Sequence, residues 1–347
     1  MIIDCHGHYT TAPPAHAAFR RSLLEPGANV AALAAAGEQI TDSEITESLV
    51  SAQLRLQRER GTDMTIFSPQ AAGMAHHQGS REVSAAWATS CNDLIYRVTG
   101  LFPRNFAPVC QLPQFPGIEP GESVGELRRC VEELGFVGLN LNPDPSGGYW
   151  TDPPLGDPWW FPLYEAMVEL DVPAMIHVSA SCNPNFHTTG AHYLAADTTA
   201  FMQLLLSDVF DRYPALRFVL PHGGGAVPFH WGRYRGLAQD LGRPTLDEAV
   251  LHNVYFDTCV YHYPGMRLLS EVVPLQNILF ASEMVGAVRG IDPMTGHNYD
   301  DTKRYIDQLG NLSDAERADL FEANTLRVYP RLRGRLGNVS TARRGGS

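Results

Sequence analysis

The chain has 347 residues, 44% hydrophobic and 18% charged, a composition that supports a large buried core and excludes a disordered chain. Its 26 basic against 38 acidic residues give a formal net charge of −12 and exclude the basic face that nucleic-acid binding requires. No apolar run reaches the roughly 18 residues of a membrane helix, so neither nucleic acid nor membrane is an expected partner.

In chain order, the first strand is predicted at Ile2–Cys5. A long connection rich in Ala and Pro follows over residues 10–40. A Thr41-x-x-Glu44 capping box then opens a helix whose apolar face is Ile45, Leu49, Ala52 and Leu56. The second and third strands are predicted at Met64–Phe67 and Phe106–Val109. Val124, Leu127, Val131 and Leu134 repeat the helical spacing until Gly135 ends it, and a fourth strand is predicted at Phe136–Leu139. Residues 142–160, rich in Pro, Gly and Trp, read either as a lid or as packing over one end of the fold. Leu163, Ala166, Met167 and Leu170 form another helical face. The remaining strands are predicted at Ala174–Ile176, Leu216–Leu220, Val254–Phe256 and Ile278–Ala281. Residues 331–347 are basic and are expected to form a flexible tail.

These strand runs are continuously apolar, as suits parallel strands covered on both faces. Strand–helix alternation repeated eight times predicts an α/β fold, a closed (β/α)8 TIM barrel in one domain over residues 1–330. An open doubly wound sheet is the alternative, and no G-x-G-x-x-G or Walker sequence supports it. The opening MIIDCHGHYT lacks a basic segment followed by an apolar one, and the six cysteines form no C-x-x-C pair. A cytoplasmic protein with reduced thiols is expected.

The histidines fall at strand ends. Asp4-Cys5-His6-Gly7-His8 follows the first strand, His177 ends the fifth, His222 follows the sixth and Glu283 follows the eighth. In a barrel these ends share one face, where active sites are built. Residues two apart in extended chain point to one side, so His6 and His8 can chelate one ion. His177 and Glu283 would complete a nitrogen/oxygen site suited to Zn2+ with room for water, whose pKa the metal would lower to roughly 7. His222 is open to three readings: fourth ligand, general acid/base, or structural residue beside Gly223-Gly224-Gly225. Acid/base work is favoured, since an imidazole titrates near neutrality. Glu283 reads either as a ligand or as a group that moves a proton.

The segments IIDCHGHYT, FVGLNLNPDP, DVPAMIHVS, VLPHGGGAVPFHWGR, FDTCVYH and SEMVGAVRGIDPMTGHNYDDTKRYID together resemble the amidohydrolase superfamily. The resemblance is to its amidohydrolase-related branch, with the aminocarboxymuconate-semialdehyde decarboxylases, and within it to the 4-oxalomesaconate hydratase family. It spans nearly the whole chain up to about Pro330. It implies a zinc-dependent lyase of aromatic-compound breakdown, on the protocatechuate and gallate route. Such an enzyme reversibly hydrates the C=C bond of 4-oxalomesaconate to 4-carboxy-4-hydroxy-2-oxoadipate. The family's metal ligands map to His6, His8 and His177. Glu283 stands where most relatives carry an aspartate, and His222 takes the place of the catalytic histidine. A homo-oligomer, a dimer, is expected on the same ground.

A small polycarboxylate substrate needs counter-charges in a protein of this net charge. Arg289, six residues past Glu283, is the first candidate clamp. Tyr193 and Asn185, after the fifth strand, are candidate donors to substrate oxygens. The family tends to carry a basic residue near Gln70, and His77 is the candidate replacement for that charge. A metal-dependent decarboxylase of a carboxylated aromatic or muconate is the alternative function. A lactone or amide hydrolase, and a metal-binding protein without turnover, follow behind it.

Overall fold

Strands form where the apolar runs fall. They are β1 (Ile3–His8), β2 (Met64–Ser68), β3 (Phe106–Gln111), β4 (Gly138–Leu141), β5 (Ala174–Ile176), β6 (Phe218–Leu220), β7 (Val254–Asp257) and β8 (Ile278–Leu279). The computed structural model describes residues 1–341. Neighbours pair in parallel in the order β1 to β8. The ring closes where Cys5 N–H donates to the Phe280 carbonyl at 2.8 Å and Glu283 N–H donates to the His6 carbonyl at 3.0 Å. The predicted TIM barrel is therefore the observed architecture. No helix among the described residues is long and apolar enough to cross a membrane.

Alternation along the strands builds two cores. Phe67, Phe106, Leu139, Ile176, Phe218 and Phe256 pack outward against the helices. Ile3, Cys5, Ile66, Val109, Met175 and Val219 fill the interior with Val328, Tyr329 and Leu332. Of these, Leu332 lies in the segment from residue 331 expected to be a flexible tail, and it corrects that expectation for the start of the segment. Arg331–Thr341 is helical, and the rest of that segment lies outside the described residues. Leu332 is fully buried, and Arg335 donates to the carbonyls of Thr99 and Phe106, at the N-terminal end of β3. Gly138 permits this plug, because a Cβ there would sit 2.9 Å from the Tyr329 ring. Leu332→Ala is expected to destabilise the fold by about 2–5 kcal/mol, read as a lower urea midpoint at unchanged slope.

Two further segments differ from the linear reading. The capping box of Thr41 and Glu44 is present, but the helix it opens ends at Val50 and a second runs Gln53–Arg60. The break at Ala52 turns Gln53 inward, where it is buried and accepts from the Thr11 hydroxyl at 2.8 Å. Residues 142–148 are buried rather than lid-like. Asp144 accepts from the N–H groups of Ser146, Gly148 and Trp150, and Gly147 O accepts from Cys182 N–H. A loop whose polar backbone is satisfied internally packs as a fixed element. Residues 10–40 hold two helices, Pro14–Leu24 and Val30–Ala36.

Candidate metal centre and active site

The H-x-H motif lies inside β1 rather than after it. The register of β1 against β2 shifts between Asp4 and Gly7, and this irregularity re-aims the strand so that His6 and His8 face the barrel mouth. A Cβ on Gly7 would sit 2.3 Å from Thr65 Cγ2, so only glycine fits between the two histidines. Asp4 fixes the strand from behind. It accepts from His6 N–H at 3.0 Å and Ser282 N–H at 3.1 Å, tying β1 to the segment after β8. Burial first, against these bonds, raises its pKa to about 6.

Each imidazole is held by its Nδ1. His6 Nδ1 lies 2.7 Å from Asp257 Oδ2, His8 Nδ1 lies 2.7 Å from Ser68 Oγ, and His177 Nδ1 lies 2.8 Å from the Val178 carbonyl. Asp257 and the carbonyl accept only. The Ser68 hydroxyl donates to Pro69 O, so it too accepts from its histidine. A proton therefore sits on each Nδ1, which leaves Nε2 as the nitrogen available to a cation. His6 Nε2 is 2.9 Å from His8 Nε2, which is 3.2 Å from His177 Nε2. Burial first, then the neighbouring histidines, keeps His8 and His177 neutral at ordinary pH. The three Nε2 atoms converge at a spacing that suits a cation bound among them. Anchoring of the remote nitrogen is the usual support of a metal-bound histidine.

Glu283 and His222 border this cluster. His6, His177, His222 and Glu283 each offer an atom within 4.8 Å of the others. Both Glu283 and His222 have positive φ, 51° and 53°, a conformation uncommon for residues other than glycine and concentrated at functional sites. Glu283 Oε2 accepts from the Tyr261 hydroxyl at 2.5 Å. His222 Nδ1–H donates to Asp197 Oδ2 at 2.9 Å, while its Nε2 is buried without a partner among the described residues. Burial disfavours charge on His222. The attraction and hydrogen bond of Asp197, with Glu283 and Asp257 behind, outweigh it and raise the pKa to about 9.

A polar cavity of about 290 Å3 opens over the histidines, lined among others by His8, Gln70, His177, Tyr193, Glu283 and Arg289. A second, more apolar cavity of about 540 Å3 lies beside it and shares Tyr193 and Glu283 as a wall, with His222 at its inner end. Tyr193 is buried, with its hydroxyl unpartnered among the described residues.

The amidohydrolase family model matches residues 3–331. The chain belongs to the amidohydrolase family. Among its relatives, this amidohydrolase is 60% identical to a 2-keto-4-carboxy-3-hexenedioate hydratase of Sphingobium sp. (strain NBRC 103272 / SYK-6), over 97% of this chain and 98% of that one. It is 29% identical to a γ-resorcylate decarboxylase of Polaromonas sp. (strain JS666 / ATCC BAA-500), over 52% of this chain and 57% of that one. Among solved structures it resembles 4-oxalomesaconate hydratase from Rhodopseudomonas palustris, with 52% identity and a TM-score of 0.90, covering 99% of this chain and 100% of that one. A 5-carboxyvanillate decarboxylase from Sphingomonas paucimobilis, 22% identical with a TM-score of 0.68 over 95% and 98% of the two chains, shares the fold.

In this amidohydrolase the structure brings together His6, His8, His177, His222, Glu283 and Tyr193, with Arg289 on the exposed rim, where its Nε donates to Gly286 O at 3.1 Å. It does not bring Asn185 or His77 to either cavity. Asn185 is exposed, its N–H bonded to Asn183 Oδ1 in a local turn. His77 packs against Gly147 of the buried 142–148 loop, because the turn after β2 folds back over Arg20, which donates to Met74 O and Ala75 O.

Linear reading missed Asp257, Asp197 and Ser68. Asp257 ends β7 in FDTC, so the strand-end rule that found the histidines extends to it. Asp197 sits on the helix Gly190–Leu205, where no motif marks it. Burial opposes charge on Asp257. Its bond from His6, the nearby imidazoles and the Gly223 N–H hold its pKa below the usual carboxylate range nonetheless. Asp257→Asn is expected to weaken divalent-cation retention by about 10- to 100-fold, measured by competition with a chromogenic chelator.

Proposed function

We propose that this amidohydrolase is a zinc-dependent hydratase acting on 4-oxalomesaconate (2-keto-4-carboxy-3-hexenedioate) in aromatic-compound degradation. The observation that carries the reading is 60% identity along essentially the full length of a hydratase of that substrate. The donor set supports it: three imidazoles anchored through Nδ1, with Nε2 atoms converging beside a carboxylate, suit Zn2+. His6, His8 and His177 would hold the ion, with Glu283 within reach of the same position. Bound there, zinc supplies a Lewis acid that polarises oxygen and lowers the pKa of water.

The chain's own residues divide the remaining work. Hydration adds a hydroxyl to the carbon bearing the carboxylate and a proton to the neighbouring carbon, which is acidic because it lies beside the keto group. Two proton-handling groups on separate atoms are needed. His222, whose pKa of about 9 keeps it protonated at neutral pH with Nδ1–H committed to Asp197, delivers the proton to carbon from Nε2 and takes it back in the reverse direction. Glu283 takes the proton of the attacking water and returns it in the reverse direction. Tyr193 donates its unpartnered hydroxyl to a substrate oxygen, and Arg289 binds a carboxylate at the rim.

Hydration destroys the conjugated double bond. Zinc-loaded protein is therefore expected to bleach the ultraviolet absorbance of 4-oxalomesaconate and form 4-carboxy-4-hydroxy-2-oxoadipate by NMR. Zinc-loaded protein inert to this compound would overturn the reading. Carbon dioxide release from a carboxylated aromatic would instead favour the decarboxylase chemistry named for relatives that match half of the chain.

A further inference from the structure

We propose that Tyr261 is a positioning residue that sets which oxygen of Glu283 faces the polar cavity, acting with Gly286 as the two sides of a clamp. The inference rests on the reading of Glu283 as the group that takes the proton of the attacking water.

Glu283 leaves β8 with a left-handed backbone, φ 51°, and its N–H is committed to the His6 carbonyl at 3.0 Å. Its side chain then folds over Gly286. A Cβ on Gly286 would meet Glu283 O at 2.5 Å and both Cγ and Cδ at 2.6 Å. Gly286 N–H donates to the Glu283 carbonyl at 2.8 Å, closing the turn beneath the carboxylate. One side of the carboxylate therefore rests on bare backbone, which leaves it no room to tilt that way.

The other side is held by Tyr261. This residue lies in the loop after β7, packs against the interior core and borders the apolar cavity. Its phenol donates to Oε2 at 2.5 Å. Its own carbonyl accepts from the Tyr305 hydroxyl at 3.4 Å, which ties the loop to the helix Lys303–Asp307. Among the described residues, Oε1 accepts only from the Ala287 N–H, at 3.4 Å. The terminal torsion of a glutamate is broad and roughly two-fold, so an unheld carboxylate presents either oxygen over a wide range of angles. With Oε2 occupied by the phenol, Oε1 is the oxygen left for substrate. Misplacing a proton-transfer group by about 1 Å costs on the order of 100-fold in rate.

The test is a double-mutant cycle of Tyr261→Phe, Glu283→Gln and the combination, assayed for hydration with zinc content and urea midpoint as controls. Tyr261→Phe is expected to lower kcat by about 10- to 100-fold at unchanged KM. In the Glu283→Gln background the same change is expected to lower kcat less than about 2-fold, because the group it orients has already lost its function. Gly286→Ala, which pushes the carboxylate from the opposite side, is expected to reproduce the kcat loss at unchanged zinc content. An equal effect of Tyr261→Phe in both backgrounds would assign the phenol to structure alone and overturn the proposal. If the unmodified protein does not hydrate 4-oxalomesaconate, the functional reading falls first. The same four proteins are then compared for zinc affinity: coupling between positions 261 and 283 sustains the clamp, and additivity ends it.

Discussion

Replacing His177 with alanine is expected to strip the protein of its divalent cation and to lower hydratase activity by more than about 100-fold, the upper end of what loss of a supporting residue costs. Its imidazole ends β5, nearly inaccessible to solvent, with Nε2 3.2 Å from that of His8 and Nδ1–H bonded to Val178 O. The loss separates from a folding defect through linkage. A ligand that binds only the folded state stabilises it by about 2.7 kcal/mol at a free concentration of about 100 Kd. Added zinc is expected to raise the urea midpoint of the unmodified protein and to leave that of His177→Ala where it was. Without zinc, the variant also loses a buried imidazole and its bond to Val178 O, so the diagnostic quantity is the zinc-dependent change in midpoint rather than the midpoint itself. Retention of one zinc per chain together with full activity would show that His177 is not a ligand.

The barrel and its histidine cluster were legible because both follow from short-range rules. Eight apolar runs of strand length, separated by helical periodicity, admit few topologies, and each run lies at or within a few residues of an observed strand. Shifts at the ends, such as β1 reaching His8 and β4 starting at Gly138, arise because pairing continues wherever a neighbour supplies the hydrogen bonds. The C-terminal helix was not legible. Arg and Gly spaced through RLRGRLG weaken its helical pattern, and the burial of Leu332 and Tyr329 depends on the open end of a barrel completed far earlier in the chain. The same distinction runs through the site. His6, His8, His177, His222 and Glu283 sit at strand ends and are placed by topology. Asn185 and His77 sit in loops whose direction is set by contacts with Asn183 and Gly147, which no periodicity encodes. Asp197 reaches the site from a helix, and only the three-dimensional pairing with His222 marks it.

That pairing makes His222 the second residue whose loss is expected to be severe. His222→Asn is the informative change, because asparagine tolerates the left-handed backbone, φ 53°, that His222 adopts. The substitution keeps a polar side chain in place and removes the titratable nitrogen. A positioned general acid or base contributes about 10²- to 10⁴-fold, and kcat is expected to fall within that range with zinc content unchanged. Asp197→Asn probes the same imidazole from behind. The amide still reaches Nδ1, but it removes the negative charge that outweighs burial and holds the imidazole near a pKa of about 9. A smaller fall is expected there, since the nitrogen facing substrate survives and only its orientation and basicity change. The order of the effects therefore carries the argument. A larger loss for Asp197→Asn than for His222→Asn would mean that Asp197 supports the fold of the segment after β6 and that His222 moves no proton. Near-normal kcat in His222→Asn, with zinc bound, would leave Glu283 as the sole proton-handling group on this rim and would require solvent to supply the other transfer.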